Sequence, residues 1–378
     1  MRFRCINDLC KVEEDKVLAG YMGKEPQLLL PVIDPPEKDR RDCYRGGIPY
    51  KTCCHKCKKE TNKTLCPHCH NILPPHFGHE ESLTIALVGA SSAGKSNYLG
   101  VLINELEKRI LPRIGGSLLM KTENTRQRYK KDFYDPLFRN DKAVAVQKTL
   151  SANRDVRNPL FFRLEFKAEK KFFQTVIPGV NLIFFDTAGE SLNDVDAASI
   201  AARYVGYAQG IIFIIDPLQI GSVRNIVPAE VNIPQVSVDQ DAVLQRIITL
   251  VREVNGMPGN VPIKVPMALA FSKIDALRSL IEDSPNIFKR NEFRGTIAEN
   301  DLDCINEEMI AFMKDNCREE SILSLVANHF SNNHYFAFSA LGDIPDKDNH
   351  LRRGVSGLRV EDPLLWILHK NKLIKSSN

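Results

Sequence analysis

The sequence predicts an α/β protein, a mainly parallel sheet with helices on both faces, preceded by a small cysteine-rich module. Three observations carry this. Short apolar runs recur along residues 82–375 and alternate with amphipathic stretches, the pattern that parallel strands and their crossover helices require. Helix periodicity is visible between the runs. Eight of the ten cysteines (Cys5, Cys10, Cys43, Cys53, Cys54, Cys57, Cys66, Cys69) fall before residue 70.

The strand candidates, in chain order, are Leu83 to Val88, Leu160 to Phe166, Asn181 to Phe185, Gly210 to Ile215, Val265 to Phe271 and Tyr335 to Phe338. Each is a short apolar run bounded by polar or turn-forming residues, as buried strands are. Leu99, Leu102, Ile103, Leu106 and Ile110 recur at helical spacing until Pro112, and Val243, Ile247, Leu250 and Val251 do so before Gly256. The runs near Leu160 and Asn181 lie too close for a helical crossover, which predicts one antiparallel pair within the sheet. Residues 1–77 read as a separate module, with Pro74 and Pro75 beginning a stiff linker, and residues 82–375 as the large domain. Two stretches, near 113–158 and 217–238, exceed the length of simple connections and read as insertions that offer binding surfaces.

Composition excludes several classes. With 43% apolar and 26% charged residues the chain is an ordinary globular one. A net charge of +4, from 51 basic against 47 acidic residues, gives little electrostatic reason for nucleic acid or an anionic membrane as the main partner. No apolar run approaches the roughly 20 residues of a membrane span. The first fifteen residues turn polar and acidic where a secretory signal needs its apolar stretch, so a cytoplasmic location is expected.

Chemistry concentrates in three places along the large domain. Gly89-Ala90-Ser91-Ser92-Ala93-Gly94-Lys95-Ser96 satisfies G-x-x-x-x-G-K-[ST], entered by an apolar strand and left, through Asn97, by an amphipathic helix. Glycines let successive N–H groups turn inward around phosphate oxygens, and the helix dipole adds positive potential at the same point. Lys95 supplies charge for β and γ phosphates, and the Ser96 hydroxyl is offered to Mg²⁺. Downstream, Asp186 ends the strand of residues 181–185 and is the second candidate for the Mg²⁺ site, with helix capping as its plainer alternative. Gly189 could give its N–H to the γ phosphate, a hydrogen bond that hydrolysis would break. The third place is Ser272-Lys273-Ile274-Asp275, after another buried strand. A carboxylate there accepts hydrogen bonds from the N1–H and 2-amino group of guanine, which adenine does not present. The Lys273 stem can lie along the ring face, and Ser339-Ala340-Leu341 closes the last strand where a backbone N–H could meet the guanine O6.

These motifs, GASSAGKS, DTAGE, SKID and SAL, resemble those of the Ras-like and translation-factor class of P-loop GTPases over residues 82–375. The resemblance implies a six-stranded sheet, GTP with Mg²⁺ as substrate and cofactor, and two states set by the γ phosphate. With the Cys-rich head, the chain is also similar to the prokaryotic double-GTPase group. Ser272 stands where the base motif usually opens with Asn, which predicts weaker bracing of the loop and modest affinity. Glu190 occupies the position of a water-orienting Gln, and Thr149 is the choice for the Thr that closes over Mg²⁺. With Lys95, these two form the candidate catalytic set. No arginine motif stands out as a catalytic finger, so slow GTP hydrolysis without a partner is expected.

In the head, Cys54-x-x-Cys57 and Cys66-x-x-Cys69 present four thiolates suited to a tetrahedral Zn²⁺, as in a short zinc ribbon. Cys5 and Cys10, with Cys43 or Cys53, offer ligands for a second site. The leading function is a GTP-driven switch that recruits a protein partner according to nucleotide state. The rival is an RNA- or ribosome-associated module, its zinc ribbon on RNA, which the basic run Lys121, Arg126, Arg128, Lys130, Lys131, Arg139, Lys142 and Lys148 with Tyr129, Phe133 and Tyr134 interleaved would serve. A solvated or protein-binding face is the favoured reading of that run, because Asp132, Asp135 and Asp141 interrupt it.

Overall fold

The computed structural model describes residues 81–144, 159–167, 169–171, 174–176, 178–186, 205–227, 239–281, 286–290, 293–346 and 348–377, plus four two-residue strands before residue 62. A seven-stranded sheet forms its centre. Its strands are β1 (Ser82–Gly89), β2 (Ser117–Met120), β3 (Leu160–Glu165), β4 (Gly179–Asp186), β5 (Gly210–Ile215), β6 (Met267–Phe271) and β7 (Asn333–Ala337). Spatial order is β7-β6-β5-β1-β4-β3-β2. The first five in that order run parallel. β3 pairs antiparallel with β4, as the short spacing predicts, and β2 pairs antiparallel with β3.

The sheet thus carries one strand more than the six-stranded expectation. Residues of the 113–158 insertion supply it: Leu118 is buried and Leu119 is 45% exposed, the alternation of a one-sided edge strand. Its partner is 48 residues away, across Ser117 and Glu165, whose side chains hydrogen-bond at 2.8 Å.

Alternation along β1 divides the core. Leu83, Ile85 and Leu87 face α1 (Lys95–Glu105) and a C-terminal helix, Asp362–Lys370, whereas Ala86 and Val88 join the layer containing α2 (Gln240–Asn255). The second layer is completed by α3 (Glu299–Phe312) and α4 (Glu320–His329), and the C-terminal helix is α5. α2 is capped at both ends: the Asp239 side chain accepts from the Ala242 N–H at 3.0 Å, and Gly256, where the sequence places the end, closes it in the left-handed conformation. Among the described residues no helix is long and apolar enough to cross a membrane.

Close packing between α5 and the sheet is set at Gly210. A Cβ there would lie 2.4 Å from Ile367 Cγ2 and 3.2 Å from Ile85 Cδ1. Gly210→Ala is therefore expected to destabilise the fold by about 1–3 kcal/mol through overpacking, read as a lower urea midpoint with an unchanged slope.

Candidate functional site

The β1 strand reaches the loop at Gly89, where the backbone passes so close to β5 that a Cβ would sit 2.3 Å from the Ile214 carbonyl oxygen. Gly94 has φ +95° and caps α1 without any side-chain hydrogen bond. Glycine suits both positions, one for space and one for conformation. Lys95 is only 7% exposed, and its ammonium donates to the carbonyls of Gly89 at 2.8 Å and Ala90 at 2.7 Å. The loop is thereby closed around its own lysine at the positive end of α1. Ala90 and Ala93 are buried, while Ser91 and Ser96 are half-buried and Ser92 is exposed with φ +60°. The Asn97 side chain turns away from the loop and accepts the Val144 N–H at 2.8 Å, tying α1 to the segment 141–144.

The base-side motif comes to the same edge of the sheet. Ser272 leaves β6 with its N–H on the Ile215 carbonyl at 2.9 Å, and its hydroxyl donates to the Ala93 carbonyl at 2.8 Å across 179 positions of sequence. Serine does reach across to brace this loop. Its short side chain is buried between the two loops and makes the bond directly, a contact within the 1 ± 0.5 kcal/mol range of a protein hydrogen bond. Lys273 adopts φ +54° and places its ammonium 2.6 Å from Asp216 Oδ2. Asp275 lies half-buried in the following 3₁₀ turn, Ile274–Leu280, and its carboxylate has no partner among the described residues. The Ile274 N–H meets the Phe338 carbonyl at 3.3 Å, which joins this loop to Ser339-Ala340-Leu341. Ser339 N–H donates to Leu358 O at 3.1 Å, so a contact to guanine O6 would fall to Ala340 or Leu341.

Asp186 ends β4, in parallel register with Leu87 of β1, two residues before Gly89. The carboxyl ends of β1, β4, β5, β6 and β7 therefore gather the loop 89–96, Asp186, Asp216, residues 272–275 and residues 339–341 along one rim. Ligands of open α/β sheets bind at such a rim. Thr149, Gly189, Glu190, Cys54, Cys57, Cys66 and Cys69 lie outside the described residues, as do Cys5, Cys10 and Cys43. Among the described residues no group of His, Cys, Asp or Glu side chains is arranged to hold a metal ion.

Two residues of the rim escape motif reading. Asp216 follows β5 and is wholly buried, its Oδ1 accepting from Leu218 N–H at 3.0 Å to cap the turn Pro217–Gln219. Gln219 Nε2 donates to the Ser91 carbonyl at 2.8 Å. The Asp-Pro pair is itself a signal for a capped turn, and its place after an apolar strand matches that of Asp186.

Two aromatic residues of the insertion, Tyr129 and Phe133, belong to the core. Tyr129 is 2% exposed and Phe133 wholly buried; their rings lie 6.2 Å apart, and Tyr129 Oη donates to Gly100 O of α1 at 3.1 Å. These two rings offer no stacking platform for bases, whereas Tyr134, the third aromatic of the run, is half-buried.

A family model described as Double-GTPase 2 matches residues 83–328, from β1 through α4. The chain belongs to the Double-GTPase 2 family. Among similar proteins is one from Mycolicibacterium smegmatis, named a putative ESX-1 scaffolding and assembly protein, SaeC, 28% identical over 324 residues, with 80% of this chain and 78% of that protein covered. Solved structures similar to this Double-GTPase 2 member include the Saccharomyces cerevisiae Ski7 GTPase-like domain bound to GTP, at 14% identity and TM-score 0.32, covering 77% of this chain and 50% of that one. A GTP-binding protein from Sulfolobus solfataricus in complex with GDP aligns at 12% identity and TM-score 0.28, with 79% and 54% covered. The chain spans about half the length of these two structures.

Proposed function

We propose that this chain is a molecular switch that binds GTP, hydrolyses it to GDP and phosphate, and engages a protein partner according to which nucleotide it holds. The observation that carries the reading is the buried Ser272 to Ala93 bond of 2.8 Å, because it holds the phosphate-type loop and the base-type loop side by side. Membership of the Double-GTPase 2 family supports it independently.

In this reading the amides of residues 89–96 hold the phosphates, and Lys95 exchanges its carbonyl partners for β and γ oxygens as substrate enters. Asp275 accepts from the guanine N1–H and 2-amino group, with the Lys273 stem against the ring. Ser96, half-buried at the first turn of α1, and Asp186, at the end of the neighbouring strand, are hard oxygen donors of the kind Mg²⁺ takes. Bound there, the ion would neutralise charge on the phosphates. Glu190 orients the attacking water, the Gly189 N–H reports the γ phosphate to the residues that follow, and Thr149 is assigned the role of the closing threonine. The name of the Mycolicibacterium relative refers to scaffolding and assembly, and we extend to this chain the corresponding kind of partner, a protein assembly whose recruitment follows the nucleotide.

Single-turnover phosphate release from the purified protein with Mg²⁺ tests the catalytic part. Without a partner, hydrolysis is expected on the order of 10⁻⁴ to 10⁻² s⁻¹, the range of switches that lack or carry only their own stabilising arginine. Turnover near 1 s⁻¹ contradicts the need for a partner, and no release over hours contradicts hydrolysis.

A further inference from the structure

We propose that Asp216 is a positioning residue for base recognition, acting through Lys273; the proposal rests on the guanine-nucleotide reading above. The carboxylate is wholly buried, whereas the Lys273 side chain is 37% exposed, and Nζ to Oδ2 is 2.6 Å. An unpaired carboxylate at that depth is strongly disfavoured, so the ammonium has one strongly preferred seat. Lys273 also holds φ +54°, a left-handed conformation uncommon for a residue with a Cβ, which persists only when its surroundings over-determine it. The ion pair supplies that determination at the far end of the side chain. Between the backbone and the pinned ammonium, the methylene stem is held in place before any ligand arrives, and Asp275 follows two residues later in the same short loop.

Asp216 is itself fixed. Its second oxygen accepts the Leu218 N–H at 3.0 Å, and the same turn ends at Gln219, whose amide donates to the Ser91 carbonyl at 2.8 Å. One four-residue turn thus touches the base loop at one end and the phosphate loop at the other. A lysine without its seat would have to give up rotamer freedom on binding, so the ion pair pre-organises the base half of the site. Asparagine at 216 keeps an oxygen for the Leu218 N–H, so the turn and its Gln219 link to Ser91 stay and the phosphate half is held as before.

The test is titration of GDP and of inorganic pyrophosphate, both with Mg²⁺, into wild type, Asp216→Asn, Lys273→Met and the double variant. Asp216→Asn is expected to weaken GDP roughly tenfold while pyrophosphate changes less than about twofold, the scale of one immobilised long side chain. Lys273→Met should show the same pattern, and adding Asp216→Asn to it should cost nothing further, because Asp216 acts through the lysine. Unchanged GDP affinity in Asp216→Asn, an equal loss of pyrophosphate, or a loss that persists in the Lys273→Met background each overturns the proposal and leaves the guanine reading standing. Should Asp216→Asn fail to fold, Asp216→Glu, which keeps the charge but displaces it, takes its place: GDP weakened with pyrophosphate retained is the expected result, and GDP unchanged overturns the proposal. A wild type that binds pyrophosphate but not GDP overturns the guanine reading, and this proposal with it.

Discussion

Lys95→Ala is expected to lower guanine-nucleotide affinity by about 10²–10³-fold, the loss of a charged donor to phosphate in a partly enclosed site. The buried ammonium now lies 2.8 and 2.7 Å from two carbonyls of its own loop. It is therefore already desolvated and aimed at the centre of the loop, and substrate entry replaces dipolar acceptors with anionic ones. Alanine removes the charge and leaves the Gly89 and Ala90 carbonyls without that donor, so some loss of stability accompanies the loss of binding. The two are separable: a thermal melt monitored by circular dichroism reports the fold, and equilibrium binding of a fluorescent GDP reports the site. A variant that melts like wild type and binds GDP within threefold of it contradicts the assignment of residues 89–96 to phosphate.

The second large effect is expected at Asp275. As a carboxylate it presents two acceptors, which match the N1–H and 2-amino donors of guanine. Asparagine presents one acceptor and one donor, which match the N1–H and the 2-carbonyl of xanthine instead. Asp275→Asn should therefore swing the ratio of GDP to XDP affinity by about 10²–10⁴-fold toward xanthine, because sites built on hydrogen bonds penalise a ligand that leaves buried groups unpaired. The substitution is nearly isosteric and falls on a half-buried residue with no partner among the described residues, so the fold should be indifferent to it.

Much of the architecture was legible because burial imposes a simple code. The run Gly210 to Ile215 is the strand β5 with the bounds read from the sequence, since every residue in it is buried. β7 was legible less sharply. It begins at Asn333 rather than Tyr335, because His334 packs inside the strand, 4.7 Å from the Phe336 ring, and burial lowers its pKa despite Asp303 Oδ1 at 3.3 Å. Polar letters hid a buried aromatic. β2 was missed for a different reason: four residues inside a basic stretch carry no periodicity, and pairing with β3 decides their state. At the site, the residues that touch ligand are named by local motifs, but those that hold them are not. Ser272 finds Ala93 across 179 positions and Lys273 finds Asp216 across 57, and no spacing rule reaches that far. A side chain as short as serine completes the brace because β5 and β6 bring the two loops together first.

All of this depends on one nucleotide lying along the rim with its phosphates at residues 89–96 and a guanine at Asp275. The most direct measurement is a competition panel of GDP, ADP and XDP against fluorescent GDP, run on wild type and Asp275→Asn. GDP should displace the probe from wild type at least about a hundredfold more tightly than ADP or XDP, with XDP taking the lead in the variant. Equal displacement by ADP and GDP, or a variant that keeps the wild-type order, contradicts it.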